Sequence, residues 1–212
     1  MNLVYDDVHM KMHQQFLWEE QLASVIVDTY KITSMVDLGC GIGNWLYGAN
    51  DIEFPLPQDK FVENFVGYEY CIDCALRNLL HEEIKYNIKF GDVSKKDFYK
   101  EVGRTFNCVL SVEVAEHLKP ENTDYFIENC VNLCERMIIF TAAPPGQGGY
   151  GHINERPKDF WIESFVNHNM RYSTFFKNDI ECLLDTYDIE VPVWIKENLM
   201  VFTKKRNDNE FS

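Results

Sequence analysis

A short apolar stretch, Ser34–Leu38, runs directly into Gly39-Cys40-Gly41-Ile42-Gly43-Asn44-Trp45, and few folds admit such a sequence. Glycines spaced like this let the backbone turn sharply and approach a ligand closely. The pattern predicts a buried strand, a tight loop and a helix starting near Asn44. The dinucleotide fingerprint G-x-G-x-x-G would need its third glycine at position 44, which is Asn. The spacing is instead G-x-G-x-G, with Asp37 two residues before Gly39. A pyrophosphate is poorly served by a fixed carboxylate at that place. A ligand carrying an amino group and a sulfonium cation is well served by one.

Along the rest of the chain, apolar periodicity predicts strands alternating with helices. Lys11–Tyr30 reads as a helix, and Asn50–Lys60, with two prolines, as a loop. Strands are expected at Phe65–Glu69, Asn87–Phe90, Phe106–Val112 and Met137–Ala142. Helices are expected at Asp73–Glu83, Lys95–Lys100 and Glu121–Cys134. A Gly/Pro-rich loop, Ala143–Pro157, precedes helices at Lys158–Asn167 and Asn178–Thr186. Val191–Ile195 and Leu199–Thr203 are expected to close the sheet as a hairpin around Glu197-Asn198. Alternation of this kind predicts a parallel sheet covered on both faces, with ligands beyond the carboxyl ends of its strands.

The 212 residues suit one domain. Their net charge of −14 disfavours nucleic acid as a partner, since phosphate binding needs a basic face. The basic run Lys204-Lys205-Arg206 reads as a solvated end. The first residues lack the basic start and apolar core of a secretory signal, and no apolar run approaches a membrane span. Seven scattered cysteines suit reduced thiols, so a cytoplasmic location is expected.

From about Met35 to Ala143, and more loosely to Thr203, the chain resembles the class I S-adenosylmethionine (SAM)-dependent methyltransferases, whose first motif runs acid-x-G-x-G-x-G. The resemblance implies an α/β fold: a doubly wound, mostly parallel, seven-stranded Rossmann-like sheet with helices on both faces and an antiparallel last strand. The corresponding layout is an N-terminal helical segment over residues 1–33, the SAM-binding domain over 34–205 and a flexible tail over 206–212. SAM is the implied cofactor and S-adenosylhomocysteine (SAH) the product. Asp37 would orient the methionine amino group, and Gly39 and Gly41 would make room for the cofactor. Cys40, Asn44 and Trp45 would line the same loop. Glu69 would hold the ribose hydroxyls beside Tyr70, although Asn50–Lys60 lengthens the usual spacing between loop and acid. Asp92 would meet the adenine amino group and Val93 would offer its amide. Val112 and Glu113, after strand four, complete the expected cofactor site.

The segment Glu113-Val114-Ala115-Glu116-His117 resembles a Glu-x-x-Glu-His pattern in two methyltransferase groups, the ubiquinone-biosynthesis O-methyltransferases and the small-RNA 2′-O-methyltransferases. In the second group two Glu and two His bind a divalent metal. The reading adopted is metal-free, with His117, His152 and Glu116 as catalytic residues, because His takes a hydroxyl proton near neutral pH. The alternatives are a metal held by Glu113, Glu116, His117 and His152, and a purely structural role for the turn. Gly-rich loop 143–157 is expected to act as a mobile lid, with His152 and Asn154 facing the acceptor. Cys71/Cys74 and Cys130/Cys134 read as small apolar residues rather than zinc ligands. No phosphate loop of the Gly-x-x-x-x-Gly-Lys type occurs.

Methyl transfer to an oxygen of a small molecule or glycan is therefore the expected function. Metal-assisted RNA 2′-O-methylation, a non-catalytic SAM-binding module and an NAD-linked oxidoreductase are the competing readings.

Overall fold

A computed structural model describes residues 17–50, 64–70 and 83–205. The expected loop over 51–60, nearly all of helix Asp73–Glu83, the pair Cys71/Cys74 and the tail 206–212 lie outside the described residues.

Helix α1 (Leu17–Tyr30) leads into strand β1 (Met35–Leu38), and α2 (Asn44–Asn50) follows the glycine loop. Strands β2 (Phe65–Glu69) and β3 (Ile88–Phe90) precede the short α3 (Phe98–Val102), and β4 spans Phe106–Ser111. Helix α4 (Thr123–Leu133) passes straight into β5 (Cys134–Phe140). Then come α5 (Lys158–Asn167), β6 (Met170–Tyr172), α6 (Thr174–Thr186), α7 (Val193–Asn198) and β7 (Met200–Lys204).

The strands form one seven-stranded sheet in the order β3-β2-β1-β4-β5-β7-β6. β3, β2, β1, β4 and β5 pair in parallel, whereas β7 is antiparallel to both β5 and β6. Strand alternation sorts the core onto the two faces. Met35 joins Leu22, Ile26, Leu46 and Ile139 on one side, and Val36 joins Phe126, Phe140 and Trp161 on the other. An irregularity between Phe106 and Cys108 shifts the register of β4 against β5. Phe106 and Val109, three residues apart, consequently share a face. Fully buried Trp161 packs against Phe140 at 5.4 Å between ring centroids, so its truncation to Ala costs about 3–5 kcal/mol.

The fold class matches the expectation, but one strand was misplaced. Val191–Ile195 is no strand: Pro192 stands immediately before α7, and its ring cannot donate to a ladder. The partner of β7 is the three-residue β6. Helix α6 starts at Thr174, four residues earlier than expected, because the Ser173 hydroxyl accepts the Phe176 amide at 3.2 Å. Helix α3 covers Phe98–Val102 rather than Lys95–Lys100, since Asp97 takes a left-handed conformation ahead of it.

Candidate active site

Three carboxylates meet around the glycine loop. Asp37, next to last in β1, is 2 % exposed, and its Oδ2 atom has no hydrogen-bond partner. Its carboxyl is pushed well above the ordinary range, first by burial, then by the negative charges of Glu19 and Glu69. Glu69, the last residue of β2, accepts the Gly41 amide on Oε2 at 3.0 Å. The Gly39 amide bonds the Tyr68 carbonyl at 2.8 Å, which ties loop to strand.

Two glycines have different reasons to be there. Gly39 sits at φ +85°, and a Cβ on it would lie 2.5 Å from Val114 Cγ2. Gly41 is at φ +54°, and among the described residues no atom outside its chain neighbours lies within 4 Å of a Cβ placed there. The first is demanded by packing, while the second has room at its Cβ position among the described residues.

Glu19, on α1, is not singled out by the sequence, where Lys11–Tyr30 shows only a helical periodicity. Its Oε2 accepts a hydrogen bond from Asn44 Nδ2 at 2.6 Å, and both residues are buried. The only available signal was an acidic pair, Glu19-Glu20, in the first turn of that helix.

The other expected cofactor residues fall into distinct environments. Trp45 is in the core, edge-on to Trp18 at 5.8 Å between centroids. Cys40 is buried, its sulfur filling the space that the missing Cβ of Gly67 leaves. Tyr70 is exposed and stacks on exposed Phe90 at 5.8 Å. Asp92 Oδ1 accepts the amide and hydroxyl of Ser94, closing a turn. Val93 is buried, with its carbonyl taken by Asn129 Nδ2 at 2.9 Å. Val112 is partly buried and packs against the cluster that holds Trp45.

Beyond β4 the chain turns through Glu113, whose φ of +53° is strained for a residue with a side chain. Its amide is held by Thr141 Oγ1 at 2.9 Å. Glu116 is fully buried; Oε1 accepts the Ala143 amide at 3.3 Å, while Oε2 has no hydrogen-bond partner. Burial, and then the charge of Glu113, pushes its carboxyl up to about 8. The rings of His117 and His152 meet edge-to-face at 4.8 Å. Ligand atoms of Glu116, His117 and His152 all lie within 4.8 Å of one another, a donor set of mixed imidazole and carboxylate that suits a divalent transition metal.

Loop 143–157 is tied down rather than free. The Glu155 carboxylate accepts the amides of Gly146 and Gly148 and lies 3.1 Å from His152 Nδ1. Those amide and histidine partners hold the Glu155 carboxyl below its usual range. Gln147 donates to Glu113 Oε2 at 3.1 Å and accepts from Asn198 Nδ2 at 2.8 Å. The Glu116 carbonyl takes both the Ile153 and Asn154 amides at 2.9 Å. Asn154 does not face an acceptor: it is 2 % exposed, bonded to the Ala115 carbonyl, Thr123 Oγ1 and Arg156 Nε.

No protein-family model matches the chain, and no curated protein is similar to it in sequence. Solved structures are similar in shape. DesVI of Streptomyces venezuelae superposes with a TM-score of 0.62 at 12 % identity, over 96 % of this chain and 100 % of that one. The magnesium protoporphyrin IX methyltransferase ChlM of Synechocystis PCC 6803, with bound SAH, gives 0.58 at 12 % identity, over 97 % and 90 %. A SAM-dependent methyltransferase from Archaeoglobus fulgidus gives 0.57 at 13 % identity, over 94 % and 100 %. The fold is that of the class I SAM-dependent methyltransferases. Asp37, Glu69, Asp92 and Glu113 all stand at or just beyond strand carboxyl ends of that fold, where open α/β sheets bind ligands. No helix among the described residues is long and apolar enough to cross a membrane.

Proposed function

We propose that this chain binds SAM and transfers its methyl group to an oxygen of a small-molecule or glycan acceptor. The observation that carries the reading is the buried Asp37 Oδ2, left without a hydrogen-bond partner two residues before the glycine loop. A cationic amino group is the natural partner for such an oxygen. ChlM, a similar fold, holds SAH in its crystal structure.

When bound, SAM supplies a methyl group already activated by its sulfonium. What remains for the protein is alignment and proton removal. Asp37 would take the methionine ammonium, with Gly39 and Gly41 letting the backbone approach the ligand closely. Glu69, which accepts the Gly41 amide, would hold the ribose hydroxyls. Asp92 and Val93 would border the adenine end. At the rim, Glu155 holds the proton of His152 on Nδ1 and leaves Nε2 to accept one from the acceptor hydroxyl. His117 lies edge-on beside that ring, and buried Glu116 is the acid behind the pair. The negative charge of −14 supports a neutral or cationic small acceptor over a polyanion.

A second reading is favoured by the Glu116, His117 and His152 constellation. In it a divalent ion bound by these three, with Glu113 beside them, would orient a ribose 2′-hydroxyl of RNA and lower its pKa.

The deciding experiment is calorimetric titration with SAM and with NADH, followed by incubation with methyl-labelled SAM and fractionated extract. SAM binding, lost by at least about tenfold in Asp37→Ala, with label moving to a small acceptor, is the expected result. NADH binding without SAM binding overturns the reading. SAM binding with no transfer to any fraction makes the chain a binding module. Transfer that vanishes in EDTA and goes to RNA establishes the second reading.

A further inference from the structure

We infer that Asn129, on helix α4, is a positioning residue for the adenine end of the cofactor: it builds the turn over residues 92–99 before the ligand arrives, and so sets how sharply the purine is read. The inference rests on the SAM-binding reading, with Asp92 and Val93 at the adenine end, and adds a residue that itself touches no ligand.

The segment after β3 is fastened to the same residue that meets the glycine loop. Glu69 accepts the Gly41 amide on its side chain at 3.0 Å and the Gly91 amide on its carbonyl at 3.1 Å. Gly91 is tightly enclosed: a Cβ there would stand 2.8 Å from the Phe98 ring and 2.9 Å from the Tyr68 ring. Those two rings meet edge-to-face at 5.0 Å between centroids, which seats the start of α3 on β2. Asp92 and Val93 follow Gly91 directly, and the Lys95 amide returns to the Asp92 carbonyl at 3.0 Å.

Asn129 holds this turn from below with all of its side-chain amide. It is fully buried; Nδ2 donates to the Val93 carbonyl at 2.9 Å and to the Lys95 carbonyl at 2.8 Å, and Oδ1 accepts the Tyr99 amide at 3.2 Å. The third bond does the work of a helix cap. The first amides of a helix have no partner within it, and Asp97, left-handed ahead of α3, makes no side-chain cap bond. Asn129 supplies that cap from another helix. Two donors facing two carbonyls, and an oxygen facing an amide, allow only one orientation of the group. The turn bearing Asp92 and Val93 is thus formed by internal bonds, so a purine binding there does not have to offset the entropy of ordering it.

The test compares, by calorimetry, SAH with its inosine counterpart, in which an oxo group replaces the adenine amino group. Wild type should prefer SAH by at least about tenfold. Asn129→Asp has the same shape and keeps an oxygen for Tyr99, but loses at least one of the two donors to the turn. It is expected to weaken SAH by about tenfold while the inosine counterpart changes by less than about threefold. The ratio of SAM to SAH affinity should stay as in wild type, because the methionine end is untouched. Asn132→Asp, the same change at an exposed position of α4, should leave every constant in place. If Asn129→Asp weakens both ligands equally, or neither, or if wild type does not distinguish them, the inference is wrong while the SAM reading stands. If wild type binds neither SAM nor SAH, the SAM reading itself has failed and Asn129 falls with it. Should Asn129→Asp not fold, hydrogen exchange in wild type decides. A Tyr99 amide as protected without SAH as with it supports the preformed turn, and one protected only when SAH is bound overturns it.

Discussion

His152 Nδ1 and Glu155 Oε1 stand 3.1 Å apart, and the same carboxylate receives the amides of Gly146 and Gly148. One side chain thus folds the glycine-rich loop and fixes the tautomer of the histidine it carries. A carboxylate on Nδ1 leaves Nε2 as the basic atom.

Glu155→Gln should therefore lower methyl transfer by about 10–100-fold while SAM affinity stays within twofold to threefold of wild type. His152→Ala should cost about 100–10,000-fold. Label transfer with saturating SAM measures both. Full turnover in His152→Ala would remove this residue from the chemistry.

Asp37 makes the ligand-free protein sensitive to pH. Its folded-state carboxyl is held well above the unfolded value near 4, so the folded chain keeps a proton that the unfolded chain has lost. This stabilisation is complete below about pH 4 and is lost as pH rises through the folded value. Glu116, pushed up to about 8, acts in the same direction, so the readout is the difference between wild type and Asp37→Asn. The variant should melt higher than wild type near neutral pH, and the gap should widen as pH rises. SAM binding by wild type should tighten over the same range, because only the ionised carboxyl pairs with an ammonium. A pH-independent gap would contradict this account of the buried acid.

Gly39→Ala should destabilise the domain by about 1–3 kcal/mol, combining overpacking against Val114 with an unfavourable backbone conformation. Denaturant melts of Gly39→Ala and of Gly39→Ala/Val114→Ala separate the two contributions. The double variant should regain the packing part and keep the conformational part. No recovery would mean that Val114 is not what Gly39 avoids.

The histidine–glutamate group offers a direct metal test. If it binds a divalent ion, Mn²⁺ at about a hundred times its dissociation constant raises stability by about 2.7 kcal/mol. The rise should disappear in Glu116→Gln and in His117→Ala. Identical melting in Mn²⁺ and in EDTA would leave the proton-transfer reading in possession of the site.

Much of this arrangement was legible from residue order. Asp37 and the three glycines announced the loop because glycine takes the positive φ values found there at least cost. Glu69, Asp92 and Glu113 followed from placing acids at the ends of apolar runs. Glu19 was hidden because helical periodicity reports which face is buried, and says nothing of a buried acid's partner 25 positions away in sequence. Val191–Ile195 looks like a strand by its β-branched residues, yet a single proline at 192 starts a helix instead. β6 has three residues, too few to show alternation. Asn154 reads as a substrate contact because it follows a glycine-rich, polar-tipped turn, but its amide is spent on three internal bonds.

Gln147 bridges Glu113 to Asn198, the residue that closes α7 two positions before β7 begins. A single amide thereby links the strained turn after β4 to the segment that leads into the antiparallel strand β7. Substitutions at Asn198, remote in sequence from Glu113, are therefore expected to disturb the turn after β4 without touching the glycine loop.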